Sequence, residues 1–426
     1  MDFPSETKTD ERCPAATPYL CGKRTPGRGL CVANPEECAI RTTEPRVVPA
    51  RPGNSAGGNK YGYTSDNIGR GCYIPYTELR RDYEQINARH ELVPADFSIL
   101  NYNIWGLART PEQRHMFELR KPLLVDTLAA SGADMMCLQE MSAFSYAELT
   151  PYLDTWAYVS ERPYTAAAEN RNRSVDTFFV AKYVPRRVAN YSLPGVLNYF
   201  NSMLVVEYTN LVLFNLYSQA GSRFSAGQEY KWIHYSRCRA DILHMIFEMI
   251  RDLYRDQNVI VCGDFNFHLD GRIEDWPELE GIEALKSLRF VDTFRVLRPE
   301  DPGFTEDTDR NVLRWNQKLV EKHLRYDAIL YRGATWRAIE SRLVGVETRP
   351  LSAADTEWFL THFSEARREG REAELKGLVV DSSGRPQIAI NASDHFGVLT
   401  RFRRSGMGGT RRVRGLRRRT RRAKQN

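Results

Sequence analysis

The chain alternates short apolar, β-rich runs with segments of helical spacing. FSILNYNI (97–104) reads as a strand, and a helical stretch follows between about 112 and 131, with Pro122 leaving its limits open. Further strand-like runs are DMMCLQE (134–140), DTFFVAKY (176–183), MLVVEYT (203–209), LVLFNLY (211–217), NVIVCGDFN (258–266), YDAILYR (326–332) and FGVLTRF (396–402). Ile242, Met245, Ile246, Met249, Ile250 and Leu253 recur at steps of three and four, the stripe of a helix packed on a sheet. Many strands with few helices predict two β-sheets packed face to face and flanked by helices, not a regular βαβ repeat. The richest apolar stretch, Leu204 to Leu216, is broken by Glu207, Thr209 and Asn210, so no membrane-spanning segment is expected.

Polar residues stand where the apolar runs stop: Asn103, Glu140, Asp264 with Asn266, Asp327, and Asp394 with His395. Taken singly, each has a structural explanation as a turn former or a hydrogen-bonded core residue. Together, carboxylates and carboxamides converging at strand ends make an oxygen-rich site suited to a hard divalent cation, with magnesium the natural choice and manganese an alternative. A histidine beside a carboxylate adds the proton-transfer group that phosphodiester hydrolysis requires.

LNYNIWG (100–106), LQE (138–140), GDFN (263–266), YDAILY (326–331) and SDH (393–395), in this order, resemble the endonuclease/exonuclease/phosphatase superfamily. The resemblance spans residues 95–403 and implies a four-layered α/β sandwich with a magnesium-dependent site. It implies that Asn103 and Glu140 hold the metal with Asp394 on the same side, and that Asp264 orients or activates the attacking water. Asn266 would contact the scissile phosphate, His395 would bind or protonate its oxygens or act as base, and Asp327 would buttress the histidine. Tyr217, in NLYSQ (215–219), replaces a histidine that deoxyribonucleases, sphingomyelinases and phosphoinositide phosphatases of this group carry. Apurinic-type endonucleases have a tyrosine there, so the departure leans toward a nuclease in which the phenol serves the transition state. The other reading is that Tyr217 only packs.

Two stretches stand beside this pattern. Residues 352–377 look like an inserted amphipathic helix with Trp358, Phe359 and Phe363 on one side, which either caps the sheet or lines a substrate groove. Pro302–Glu306 and Asn311 resemble a substrate-side loop of the superfamily.

Charge and cysteine content divide the chain further. Of the formal +6, residues 401–426 hold twelve Arg or Lys and no acid, while residues 97–400 carry a net −6. The tail is therefore a disordered polycation suited to nucleic acid, with an import receptor or an anionic membrane as alternatives. Cys13, Cys21, Cys31, Cys38 and Cys72 crowd the first 72 residues. They lack the close pairs of a zinc module, so disulfides among the first four are favoured, leaving Cys72 odd. Cys137, Cys238 and Cys262 read as small buried apolar residues without chemistry. The expected organisation is a Cys-rich module over 1–38, a Pro/Gly-rich linker and lead-in over 39–90, the catalytic body over 91–403 and an Arg-rich tail over 404–426.

The polar, acidic start MDFPSETKTDER lacks the form of a secretory signal. The Cys-rich module also resembles short segments on proteins of large DNA viruses, so a nuclear or virion-associated location is expected. The favoured function is a magnesium-dependent nuclease acting on DNA or RNA. Alternatives are a sphingomyelinase or phosphoinositide phosphatase, which the NIWG turn echoes, and a catalytically lapsed nucleic-acid-binding protein.

Overall fold

The computed structural model describes residues 72–160, 176–195, 201–221 and 229–405, with the backbone of 19–20 and 31–32. The strands of the first sheet are β2 (Asp96–Asn103), β3 (Met135–Met141), β4 (Tyr158–Val159), β5 (Asp176–Ala181), β12 (Trp336–Val344) and β16 (Gly397–Arg404). They lie in the order β12-β16-β2-β3-β5-β4. The second sheet holds β1 (Arg81–Ile86), β6 (Arg187–Leu193), β7 (Asn201–Glu207), β8 (Val212–Tyr217), β9 (Val259–Asp264), β10 (Val291–Asp292) and β11 (Asp327–Arg332). Its order is β10-β11-β9-β8-β7-β6-β1.

Period-two alternation explains the layering. In β9, Ile260 and Cys262 face the other sheet, packing with Ile99, Cys137 and Phe179 from it and with Leu213 and Ile329 from their own. Val259 and Val261 face the opposite way, onto helix α3 (Glu229–Leu253) and helix α4 (Leu279–Ser287). The first sheet likewise turns Leu100, Tyr102, Leu138 and Phe178 onto α1 (Pro111–Ser131) and α2 (Ala143–Leu153). Strands buried on both faces read as continuous apolar runs, which is why the sequence marks them so clearly. Helix, sheet, sheet and helix make the four layers.

Helix α1 begins where Thr110 accepts the Gln113 N–H at 3.2 Å and ends at Gly132, whose φ of 65° suits a left-handed cap. Pro122 lies inside it and does not end it. In α3, Ile242, Met245, Ile246, Met249 and Ile250 are buried as expected, but Leu253, in the last turn, is exposed.

The body starts earlier than the composition suggested. Residues 72–90, the expected lead-in, are tied to the body: Cys72 is bonded to Cys238 of α3, Asp241 accepts the backbone N–H of Cys72 and Tyr73, and β1 pairs with β6 as an edge strand. Cys72 is thus not odd, and Cys238 is not a plain apolar residue. Cys137 and Cys262 are free and buried. At the other end, Arg401–Arg404 complete β16 with Phe402 buried, so the polycation proper begins beyond them. The proposed pairing among Cys13, Cys21, Cys31 and Cys38, and the basic tail, lie outside the described residues; near the amino end only the antiparallel pair Tyr19–Leu20 with Cys31–Val32 is described.

The insertion is a small subdomain rather than a single helix. Helix α6 (Ala353–His362) packs with a three-stranded sheet of β13 (Thr348–Pro350), β14 (Leu378–Val380) and β15 (Pro386–Asn391). Phe359, Ile388 and Ile390 form its core with Leu313 of helix α5 (Val312–Lys318), and Met116 of α1 joins them. Among the described residues, no helix is long and apolar enough to cross a membrane.

Candidate active site

Strand ends bring every predicted residue to one edge of the sandwich. Asn103 closes β2, Glu140 lies near the end of β3, Tyr217 closes β8 and Asp264 closes β9. Asp327 opens the antiparallel strand β11 directly opposite Asp264, and Asp394 with His395 precedes β16. Among the described residues, five non-glycine residues have positive φ, and Trp105, Glu140 and Asn266 of this region are three of them. Side chains here are aimed by backbone conformations that are sparsely populated elsewhere.

Asn103 joins the two sheets. Its Nδ2 donates to Glu140 Oε1 at 3.2 Å and to Asp264 Oδ2 at 2.9 Å, while its Oδ1 accepts the Trp105 N–H at 3.0 Å. The Tyr217 hydroxyl donates to Glu140 Oε1 at 2.9 Å, so the residue in the histidine position holds a carboxylate and does more than pack. Asp264 Oδ1 accepts the Asn266 N–H at 2.8 Å, and Asn266 Nδ2 donates to Ser218 O at 3.2 Å. His395 Nδ1 lies 2.8 Å from Asp327 Oδ2. That places the two in the couple expected for them, with Nε2 left for other partners.

The charges are crowded and dry. Burial, and then the Asp327 charge, push the Asp264 carboxyl up to about 8 against the opposing pull of His395 and Asn103. Burial, and then Asp394, push Glu140 upward. Burial pushes Tyr217 well above the usual phenol range, helped by the neighbouring carboxylates Glu140 and Asp264, so its proton stays on the hydroxyl. For His395, burial alone would lower the value, but the charges of Asp327 and Asp264 outweigh it and raise the imidazole well above its ordinary range.

A divalent cation fits this donor set. Among the described residues, Glu140 and Asp264 receive hydrogen bonds from Asn103, Tyr217 and the Asn266 backbone and from no cationic side chain, and a bound cation would relieve the crowding that raises both carboxyls. Ligand-capable atoms of Asp264, Asp327 and His395 also fall within 4.8 Å of one another.

Several further residues support the site. The Thr305 hydroxyl accepts the backbone N–H of Tyr326 at 3.0 Å and of Asp327 at 3.2 Å. Asn311 is fully buried, donates to Ser393 O at 2.9 Å and caps α5. Thr305 and Asn311, expected on the substrate side, thus fix the loops that carry Asp327 and His395. The Ser393 hydroxyl donates to Asn103 O at 2.8 Å. The buried Arg120 holds the carbonyls of Trp105 (2.7 Å) and Ala392, tying the Asn103 loop to the His395 loop. Beside Asp394, Arg314 Nη1 stands 3.7 Å from its carboxylate and is itself paired with Glu306. Ser393 is a letter of the SDH run and Thr305 and Asn311 lie in a loop that the sequence marks, whereas Arg120 and Arg314 lie between the motifs.

No curated protein sequence matches the chain. Similar solved structures include humanized D. rerio TDP2 (18% identity, 72% of this chain and 99% of that one, TM-score 0.45). They also include D. rerio TDP2 complexed with single strand DNA product (15% identity, 72% and 99%, TM-score 0.44). A mannosyl-6-phosphatase of Bacteroides thetaiotaomicron is similar at 13% identity over 72% of this chain and 99% of that one, with a TM-score of 0.45. These likenesses are distant, and membership rests on the sequence itself: matched over residues 100–395, the chain belongs to the Endonuclease/Exonuclease/phosphatase family, hydrolases of phosphoester bonds.

Proposed function

We propose that the chain is a magnesium-dependent phosphodiesterase that cleaves DNA or RNA. The observation that carries the reading is the meeting of the hydrogen-bonded group Asn103, Glu140, Tyr217 and Asp264 with the His395–Asp327 couple at one buried edge. Asn103, Glu140 and Asp394 would hold the cation, with manganese as a substitute, and Asn103 Oδ1 has a second lone pair for it. When bound, the cation supplies neutralisation of phosphate charge.

The chain's own groups do the rest. Asp264, fixed by the Asn103 side chain and the Asn266 N–H, orients the attacking water and accepts its proton when ionised. His395, kept cationic by Asp327, donates from Nε2 to a phosphate oxygen as negative charge grows there. Asn266 fixes the phosphate from the same loop as Asp264. Tyr217 acts through Glu140, orienting the carboxylate it hydrogen-bonds rather than serving the transition state itself. The Arg-rich stretch after residue 405, with nine Arg or Lys and no acid, favours a polyanionic substrate over a lipid.

The test sets the purified chain with magnesium against plasmid, abasic duplex, single-stranded DNA and RNA, sphingomyelin and phosphoinositide side by side. Nucleic acid should be cleaved, chelation should abolish cleavage, and Glu140→Gln and Asp264→Asn should each lower kcat by about a hundredfold or more. Wild-type activity in either variant refutes the site, and turnover confined to the lipids refutes the nuclease reading.

A further inference from the structure

Trp105 sits two residues beyond Asn103, and its backbone N–H is the donor to Asn103 Oδ1 at 3.0 Å. Its φ is 45°, the left-handed region that a bulky residue enters only at a cost in strain. Glycine or asparagine would occupy that conformation with less strain, so a large indole here calls for a use of the side chain. The Arg120 guanidinium covers the ring 4.6 Å from its centroid. Phe363 of the inserted subdomain meets it edge-on at 6.3 Å and 81°. Behind Phe363 stands Trp358, with centroids 5.5 Å apart. Trp105, Phe363 and Trp358 pack against the subdomain core of Phe359, Ile388 and Ile390 yet stay partly exposed.

Cations flank this ridge. Arg120 lies against Trp105, the His115 and His362 rings lie 4.3 and 4.8 Å from Trp358, and Arg314 stands 3.7 Å from Asp394 in the site. Aromatic faces interleaved with cations are what single-stranded nucleic acid requires: bases stack on the rings, and phosphates meet the charges. A lipid chain would need a continuous apolar groove, whereas this ridge is short and rimmed by charge.

Resting on the nucleic-acid reading above, we infer that Trp105 and Phe363 form a stacking platform for an unpaired base beside the scissile phosphate. The base must be unpaired and unstacked because in a duplex its faces are covered by its neighbours. The inserted subdomain is then a specificity element that completes a half-platform begun in the loop after Asn103.

The experiment compares the full chain on two single-stranded oligonucleotides, one with thymines flanking the scissile phosphate and one with base-free tetrahydrofuran units there. The wild type should prefer the base-bearing strand in kcat/KM by roughly ten- to a hundred-fold. Trp105→Leu should erase most of that ratio, Trp105→Phe should retain most of it, and Phe363→Ala should lower it in part. Because the ratio is taken within each variant, any general damage through Asn103 cancels. No preference in the wild type, or an unchanged ratio in Trp105→Leu, overturns the platform. A wild type that cleaves neither strand refutes the phosphodiesterase reading instead. Affinities for the same two oligonucleotides then decide the platform, and equal affinities overturn it.

Discussion

Glu306 is fully buried, and its carboxylate is held by Lys322 Nζ at 3.0 Å from both oxygens and by Arg314. Burial alone would raise its pKa, but Arg314 and then Lys322 outweigh burial and bring it from 4.5 down to about 2. Lys322 is pushed down by its own burial and Arg314 is pushed up, so Arg314 is the partner whose charge is best compensated. A depressed carboxylate contributes stability that is fully present above its unfolded value and is lost as pH falls through its folded one. The difference amounts to about 3 kcal/mol near neutral pH. Glu306→Gln removes that contribution and leaves two cations buried together, for which a cost of about 3–5 kcal/mol is expected. The two routes agree in size. In urea denaturation followed by tryptophan fluorescence, the gap between wild type and variant should be about 3 kcal/mol near pH 7 and should narrow by about 2 kcal/mol by pH 3. A gap that stays constant with pH would mean the cost is one of packing, and a gap under about 1 kcal/mol at neutral pH would mean the pair is only a surface-strength bridge. Function should follow as well, because Arg314 released from Glu306 has Asp394 close by to turn to.

Three further outcomes are expected. Asp327→Asn should lower kcat by about a hundredfold or more and move the basic limb of the pH–rate profile downward, because the raised value of His395 depends on that carboxylate; an unmoved limb separates the two residues. Cys72→Ser should cost about 2–5 kcal/mol, since the bond closes a separation of 166 residues, and reductant should bring the wild type to the same melting temperature; equal melting of oxidised wild type and variant refutes this. Deleting residues 406–426, beyond the last strand, should weaken nucleic-acid binding and flatten its salt dependence by roughly 0.9 for each duplex DNA phosphate that the tail had neutralised, while kcat on a short saturating substrate stays; an unaltered slope removes the tail from binding.

What could be read in advance follows from where physical constraints are local. The inner strands are buried on both faces, so β2, β3, β8 and β9 appear as apolar runs ended by the polar residues that the site uses. Edge elements have no such signature. RDYEQI of β1 is mixed in character, and its place in the sheet is fixed by pairing with β6 and by the Cys72–Cys238 bond across a long separation. The Tyr217 position is legible as a departure from a histidine pattern, but its partner is not, because Glu140 arrives from the other sheet. Thr305 and Asn311 mark a polar loop without saying that both side chains turn inward.

The same cross-sheet dependence explains how a site assembled from two sheets is kept in register. An apolar interface between sheets is non-directional and would tolerate small slides. Just beneath the site it is interrupted by carboxamides: Gln139 Nε2 donates to Asn101 Oδ1 at 2.8 Å and to Asn215 Oδ1 at 2.7 Å, and Asn101 Nδ2 donates to Gly263 O at 3.0 Å. Asn215 Nδ2 returns to Phe178 O at 2.9 Å. Three of these bonds cross between β2, β3 and β5 of one sheet and β8 and β9 of the other, and the bond from Gln139 to Asn101 ties β3 to β2 within the first. Each anchor lies one or two residues before a site residue: Asn101 before Asn103, Gln139 before Glu140, Asn215 before Tyr217, Gly263 before Asp264. Period two puts Asn101 with Asn103, and Asn215 with Tyr217, on the same strand faces. Gly263 is needed there, because its φ is 149° and a Cβ would lie 2.0 Å from Leu216 O. A buried carboxamide that loses its partner costs about 1–3 kcal/mol, so a slide that breaks this layer is penalised where an oily layer would permit it. The polar layer therefore converts the packing of two sheets into fixed positions for Asn103, Glu140, Tyr217 and Asp264, and it does so from residues that no single strand identifies as functional.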